Sequence, residues 1–104
     1  MTRKGLTMKW KRQEINRVNN NREPMSPIMA HVHGWIAVHS AQGVGWIITH
    51  VPTGCRLESC SKLKNAKRLA RAFYRQVPRL ADIGSYDERD KLAPLQITMM
   101  RLIH

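Results

Sequence analysis

Four histidines and two tryptophans crowd into a part of the chain that carries no formal charge. Residues 28–54 contain no Lys, Arg, Asp or Glu, yet they hold His31, His33, His39, His50, Trp35 and Trp46. Imidazoles so gathered suggest metal ligation, acid–base catalysis, or anion binding by rings that titrate near neutral pH. A zinc site needs three or four converging ligands, usually with a thiolate or carboxylate among them. Cys55 and Cys60 are not at zinc-finger spacing, so no metal and no other cofactor is expected. Catalysis is not expected either. The uncharged stretch offers no carboxylate to orient a histidine, no order of nucleophile, base and orienting group is visible, and no glycine-rich phosphate loop occurs.

Cations supply the second chemistry. Fourteen of the eighteen Lys and Arg residues fall in two blocks, 3–22 and 62–79, and the net charge is +11. The second block is Lys62, Lys64, Lys67, Arg68, Arg71, Arg75 and Arg79, with no acid from 59 to 81. The first block includes Lys9, Lys11 and Arg12. A solvated helix face normally mixes signs; an all-positive one seeks a polyanion. The expected binding residues are therefore these ten cations. Trp35, Trp46, His39 and His50 are the expected stacking face, since aromatic rings on an open sheet stack on bases.

The elements that must position these groups follow from periodicity. Two near copies lie eleven residues apart, Gly34-Trp35-Ile36-Ala37-Val38-His39 and Gly45-Trp46-Ile47-Ile48-Thr49-His50. Their alternation predicts a β-hairpin, with Gln42-Gly43 as a two-residue turn. That turn pairs His39 with Trp46 and Trp35 with His50. It places Val32, Ile36, Val38, Ile47, Thr49 and Val51 on one face, and the histidines, tryptophans and Ile48 on the other. A three-residue loop would mix the two sets. Val51-Pro52-Thr53-Gly54 predicts a second turn, leading to a short third strand over 55–58. A helix over 62–77 follows, capped by Ser59 or Ser61 and stopped by Pro78, with Leu63, Ala66, Leu69, Ala70, Phe73 and Val77 as its apolar stripe.

Residues 1–27 read as a basic arm or a short helix, with a weak apolar stripe at Met8, Ile15 and Val18. Pro24 and Pro27 then make an extended connector. Residues 28–104 read as one α+β domain: a three-stranded antiparallel sheet packed by the basic helix, plus a C-terminal helical segment. Ser85 and Glu88 suggest a capping box in a segment holding four of the seven acids. The end, 95–103, reads equally as helix or strand. No apolar run approaches the roughly 20 residues of a membrane span, and the basic start has no apolar segment behind it. The expectation is a cytoplasmic chain with reduced thiols and no membrane partner.

The stretch 45–54, with Trp46, Thr49-His50 and Pro52-Thr53-Gly54, is similar to small bacteriophage-encoded accessory proteins built on three strands and one helix. That resemblance implies a DNA-binding regulator, or an inhibitor of host machinery or defence of the anti-CRISPR kind. Two functions are thus expected from the sequence: binding of duplex DNA or RNA, or docking of the basic face on an acidic groove of a host protein complex.

Overall fold

The computed structural model describes residues 9–19, 21 and 23–103. Five strands, not three, form an antiparallel meander in the order β1 (Lys11–Val18), β2 (Pro24–His33), β3 (Ile36–Ala41), β4 (Gly45–His50) and β5 (Cys55–Cys60). The chain remains α+β: helix α1 (Leu63–Gln76) follows β5, two 3-10 turns cover Pro78–Asp82 and Tyr86–Lys91, and helix α2 (Ala93–Ile103) ends it.

The extra strands replace the expected arm. Over Lys11–Val18 polar and charged side chains lie on both faces, so alternation is weak in sequence; pairing with β2 makes the strand. Pro24 opens β2, and Pro27 sits where the ladder slips. Ile15 pairs with Ile28 and Arg17 with Met25, leaving Ser26 and Pro27 opposite Asn16 alone. A bulge tolerates a residue without an N–H. Residues 1–8 of the expected arm, with Arg3 and Lys4, lie outside the described residues, as does Arg22.

The β3–β4 loop has three residues rather than two. Val44 N–H bonds the Ala41 carbonyl at 3.1 Å. Gly43, at φ +79°, takes the third position of that turn, where a positive φ favours glycine. Ala41 therefore pairs with Gly45, Ser40 with Trp46, Val38 with Ile48 and Ile36 with His50. The one-residue change exchanges the faces of β3 relative to β4. Ile36, Val38 and Ile48 now share a face, and against it α1 sets Ala66, Ala70 and Phe73, all with 0% exposure. Ala37, His39, Ile47 and Thr49 point the other way.

Both faces of the sheet are buried in part. On the face away from α1, Ile15, Ala30, Val32 and Ala37 form a second cluster, flanked by Ile28 and Val51. The sheet closes this cluster by coiling on itself. Val18 N–H donates to the Gly54 carbonyl at 3.2 Å, tying the end of β1 to the β4–β5 turn. Gly54, at φ +72°, leaves room for this approach; a Cβ there would lie 3.1 Å from the Asn16 carbonyl oxygen.

Helix α1 begins at Leu63 with Lys62 as its cap residue, and no side chain caps it, so neither Ser59 nor Ser61 does so. Pro78 ends it and opens the first 3-10 turn. Ser85 also contributes no side-chain cap; instead Glu88 accepts from the Gly84 N–H at 2.9 Å. The stretch 95–103 is helical, within α2. No helix among the described residues is long and apolar enough to cross a membrane.

Candidate functional site

Helix α1 lies over β3, β4 and β5. The β1–β2 side of the same sheet face is left as a shelf beside the helix. Alternation from the paired Arg12 and His31 puts both side chains on this shelf, with His33 two residues further along β2. Trp10, just before β1, packs edge-on to His33 with ring centres 6.2 Å apart. Lys67 reaches from α1 over the Trp10 ring, its Nζ 5.7 Å from the centre. An ammonium over an indole is attracted by the ring's negative face, so this contact bridges the helix and β1.

The cations of α1 divide by helical position. Ala66, Ala70, Phe73 and Val77 are buried against the sheet. At 100° per residue, Lys64, Lys67, Arg68, Arg71 and Arg75 fall on the flank and outer side that continue onto the shelf. Lys62, Lys64 and Arg68 are exposed, and Lys67 and Arg71 are half-buried. Among the described residues, the ion pair joins Lys91 to Glu88 at 2.6 Å, within the acidic tail itself. Its hydrogen bond from Lys91, then the one from Gly84, holds the Glu88 carboxyl below its ordinary range. None of Lys62, Lys64, Lys67, Arg68 or Arg71 is paired with a carboxylate among the described residues.

Other expected cations fall elsewhere. Lys9 and Lys11 line a shallow depression with Gln13 and Val32, on the other side of β1 from Arg12. Arg79 leaves the helix and lines a cleft with Asp82, Lys91 and Leu95. Of the ten expected cations, the structure brings Arg12 to the α1 group and separates Lys9, Lys11 and Arg79 from it.

The expected stacking face is not a free platform. His39 is 2% exposed and His50 is fully buried, and the loop of three residues sends His39 to the face opposite Trp46. His50 is a structural tie. Its Nε2–H donates to the Leu80 carbonyl at 2.8 Å, and the Thr53 hydroxyl lies 2.9 Å from Nδ1. A carbonyl only accepts, so Nε2 holds the proton of a neutral ring. His39 likewise gives Nδ1–H to the Ser40 carbonyl at 3.2 Å and keeps Nε2 at 2.8 Å from the Thr49 hydroxyl. Burial pushes both imidazoles below the ordinary histidine value, and their backbone bonds offset this in part.

The tryptophans are half-buried and already in contact. Trp35 occupies the β2–β3 turn and stacks on Tyr74 at 5.0 Å and 19°. Trp46 packs against the core and stands 6.2 Å from His31. Trp10, His33, Tyr74, Trp35 and His50 form a continuous run of neighbouring rings from the shelf into the core. His31 titrates below the ordinary histidine value, from partial burial first and then from the positive charges of Lys67 and Arg12. Trp10 and Tyr74 were absent from the expected site. The Lys9-Trp10-Lys11-Arg12 stretch, an aromatic among cations, was the available signal for Trp10; Tyr74 has none beyond its place on the helix.

No group of three or more His, Cys, Asp or Glu among the described residues converges as a metal site. Comparison with protein-family models, curated proteins and solved structures finds no match to the chain.

Proposed function

We propose that this protein binds nucleic acid through the phosphate backbone, using the flank of α1 and the adjoining shelf. The observation that carries the reading is that Lys64, Lys67, Arg68 and Arg71, beside Arg12 and His31, have no carboxylate partner among the described residues. From Lys64 to Arg71 the helix axis runs about 10 Å, the rise of about three successive phosphates along one strand of a duplex. The engaged state of Trp35 and Trp46 favours backbone contact over base stacking. Binding of this kind is insensitive to base sequence.

Gel shifts or fluorescence anisotropy on an unphosphorylated duplex test the reading. Four phosphate contacts, three from α1 and one from Arg12, give a slope of log K against log salt of about −3.6. Replacing Lys64, Lys67 and Arg68 together by Ala lowers the magnitude of that slope by about 2.7. An unchanged slope in the triple variant, or no binding at low salt, overturns the proposal. Should bare duplex fail while an acidic protein is retained from nuclease-treated lysate, the same cations serve a protein groove instead.

A further inference from the structure

On the side of the molecule opposite the shelf, three clefts meet around the end of β1. One of about 350 Å³ includes Arg56, Tyr86, Arg89 and Gln96. A second, of about 230 Å³, includes Arg17, His39, Ile47 and Arg56. These two share Val18, Asn19 and Arg56, and a third joins Arg17 to Tyr86. Among the described residues, four buried polar side-chain atoms have no hydrogen-bond partner: Nε of Arg17, Arg71 and Arg89, and the Tyr86 hydroxyl. Three of the four belong to residues lining these clefts, and all three can donate. A buried donor left without an acceptor needs an explanation, and an acceptor from outside the chain is one.

Each of the three guanidiniums makes a hydrogen bond within the protein, although Arg56 itself is exposed. Arg17 gives one terminal N–H to the Ser26 carbonyl at 3.0 Å, and Arg56 gives one to the Ser59 hydroxyl at 3.3 Å. Arg89 bonds the Tyr86 carbonyl at 3.2 Å and lies over the Tyr86 ring at 4.3 Å. Each keeps further donors for a ligand. Asp90 is the one carboxylate among the lining residues, against three arginines. Ile47, Met25 and Leu92 add apolar wall.

The geometry points to a second anion site here, one that takes a phosphate monoester carried on a compact, partly apolar body of nucleotide size. Arginine forks suit the tetrahedral dianion, and the largest of the three clefts, about 350 Å³, falls at the small end of the range for small-ligand sites. The phosphate comes either from a free nucleotide or from the terminus of a strand. The inference does not rest on the shelf's binding of duplex, which uses other residues.

Calorimetric titration with AMP, at about 0.15 M salt, tests it. Saturable binding is expected, with adenosine silent. Arg56→Ala should weaken AMP by about tenfold or more, and Arg56→Lys, which keeps the charge but loses the fork, should weaken it as well. A variant with Lys64→Ala and Arg68→Ala should bind AMP unchanged. Failure to saturate at about 10 mM, equal binding of adenosine, or equal loss in the helix variant overturns the site. Failure of the duplex experiment leaves this result untouched. A strand bearing a 5′-phosphate that binds more tightly than its 5′-hydroxyl counterpart identifies the strand end as the source; equal affinity identifies the free nucleotide.

Discussion

At the scale of single residues, the buried histidines separate stability from binding. His39 and His50 are neutral in the folded protein, each ring bonded on both nitrogens. Unfolded, both take a proton below about pH 6.5. Their folded values are depressed, so the unfolded state binds more protons in the interval between the folded and unfolded values. Stability is therefore complete above about pH 6.5 and declines as pH falls from there toward the folded values. Urea midpoints at about pH 7.5 and 5.5 should show the drop, and His39→Gln, which keeps an amide near Thr49, should shrink it. An equal drop in that variant would mean that His39 is not one of the responsible groups. From the sequence these two rings looked like ligand contacts, because imidazole at an apolar position is chemically conspicuous. Their actual partners, Thr49, Thr53 and the Leu80 carbonyl, are set by a register and a chain reversal that composition does not display.

Among the elements, the sheet depends on one close approach. With Gly54 at φ +72° against Asn16 and Arg17, Gly54→Ala should destabilise the fold by about 1–3 kcal/mol through backbone strain alone, read as a lower thermal midpoint. A change no larger than that of Gly43→Ala, at a position with open space around it, would show that the contact with β1 adds nothing beyond strain. The two near copies announced β3 and β4, and the apolar stripe of α1 announced its buried face. What stayed hidden were β1, whose charges on both faces mask the two-residue period, and β2, whose prolines read as a connector. Loop length was hidden for another reason. Gln42-Gly43 suits a two-residue turn, whereas Gly45, at φ +108°, supports the longer loop only once both strands are in place.

Across the whole molecule, the charge balance bears directly on behaviour in solution. A net +11 in 104 residues repels itself in the compact state, and screening relieves that repulsion. Raising sodium chloride from about 0.05 M to about 0.5 M should therefore raise the melting temperature of the free protein while weakening its hold on duplex. Melting unaffected by salt would indicate that the repulsion is already offset within the fold. The existence of a positive surface was legible in the sequence, since the helix block holds no acids. Its outline was not, because the strand register decides that Arg12 joins the α1 group while Lys11 turns away. The second arginine group was invisible, as Arg17, Arg56 and Arg89 lie far apart along the chain.

The hydrogen bond from Val18 to Gly54 has a consequence for synthesis. β1 and β2 leave the ribosome before residue 54, so the end of β1 lacks its tie to the β4–β5 turn, and their apolar side is not fully closed, until that residue has emerged. During that interval Ile15, Ala30 and Val32 face water on a nascent ribbon. The charged side chains of β1, and the proline-bearing bulge, keep that ribbon from joining a neighbour's edge while it waits.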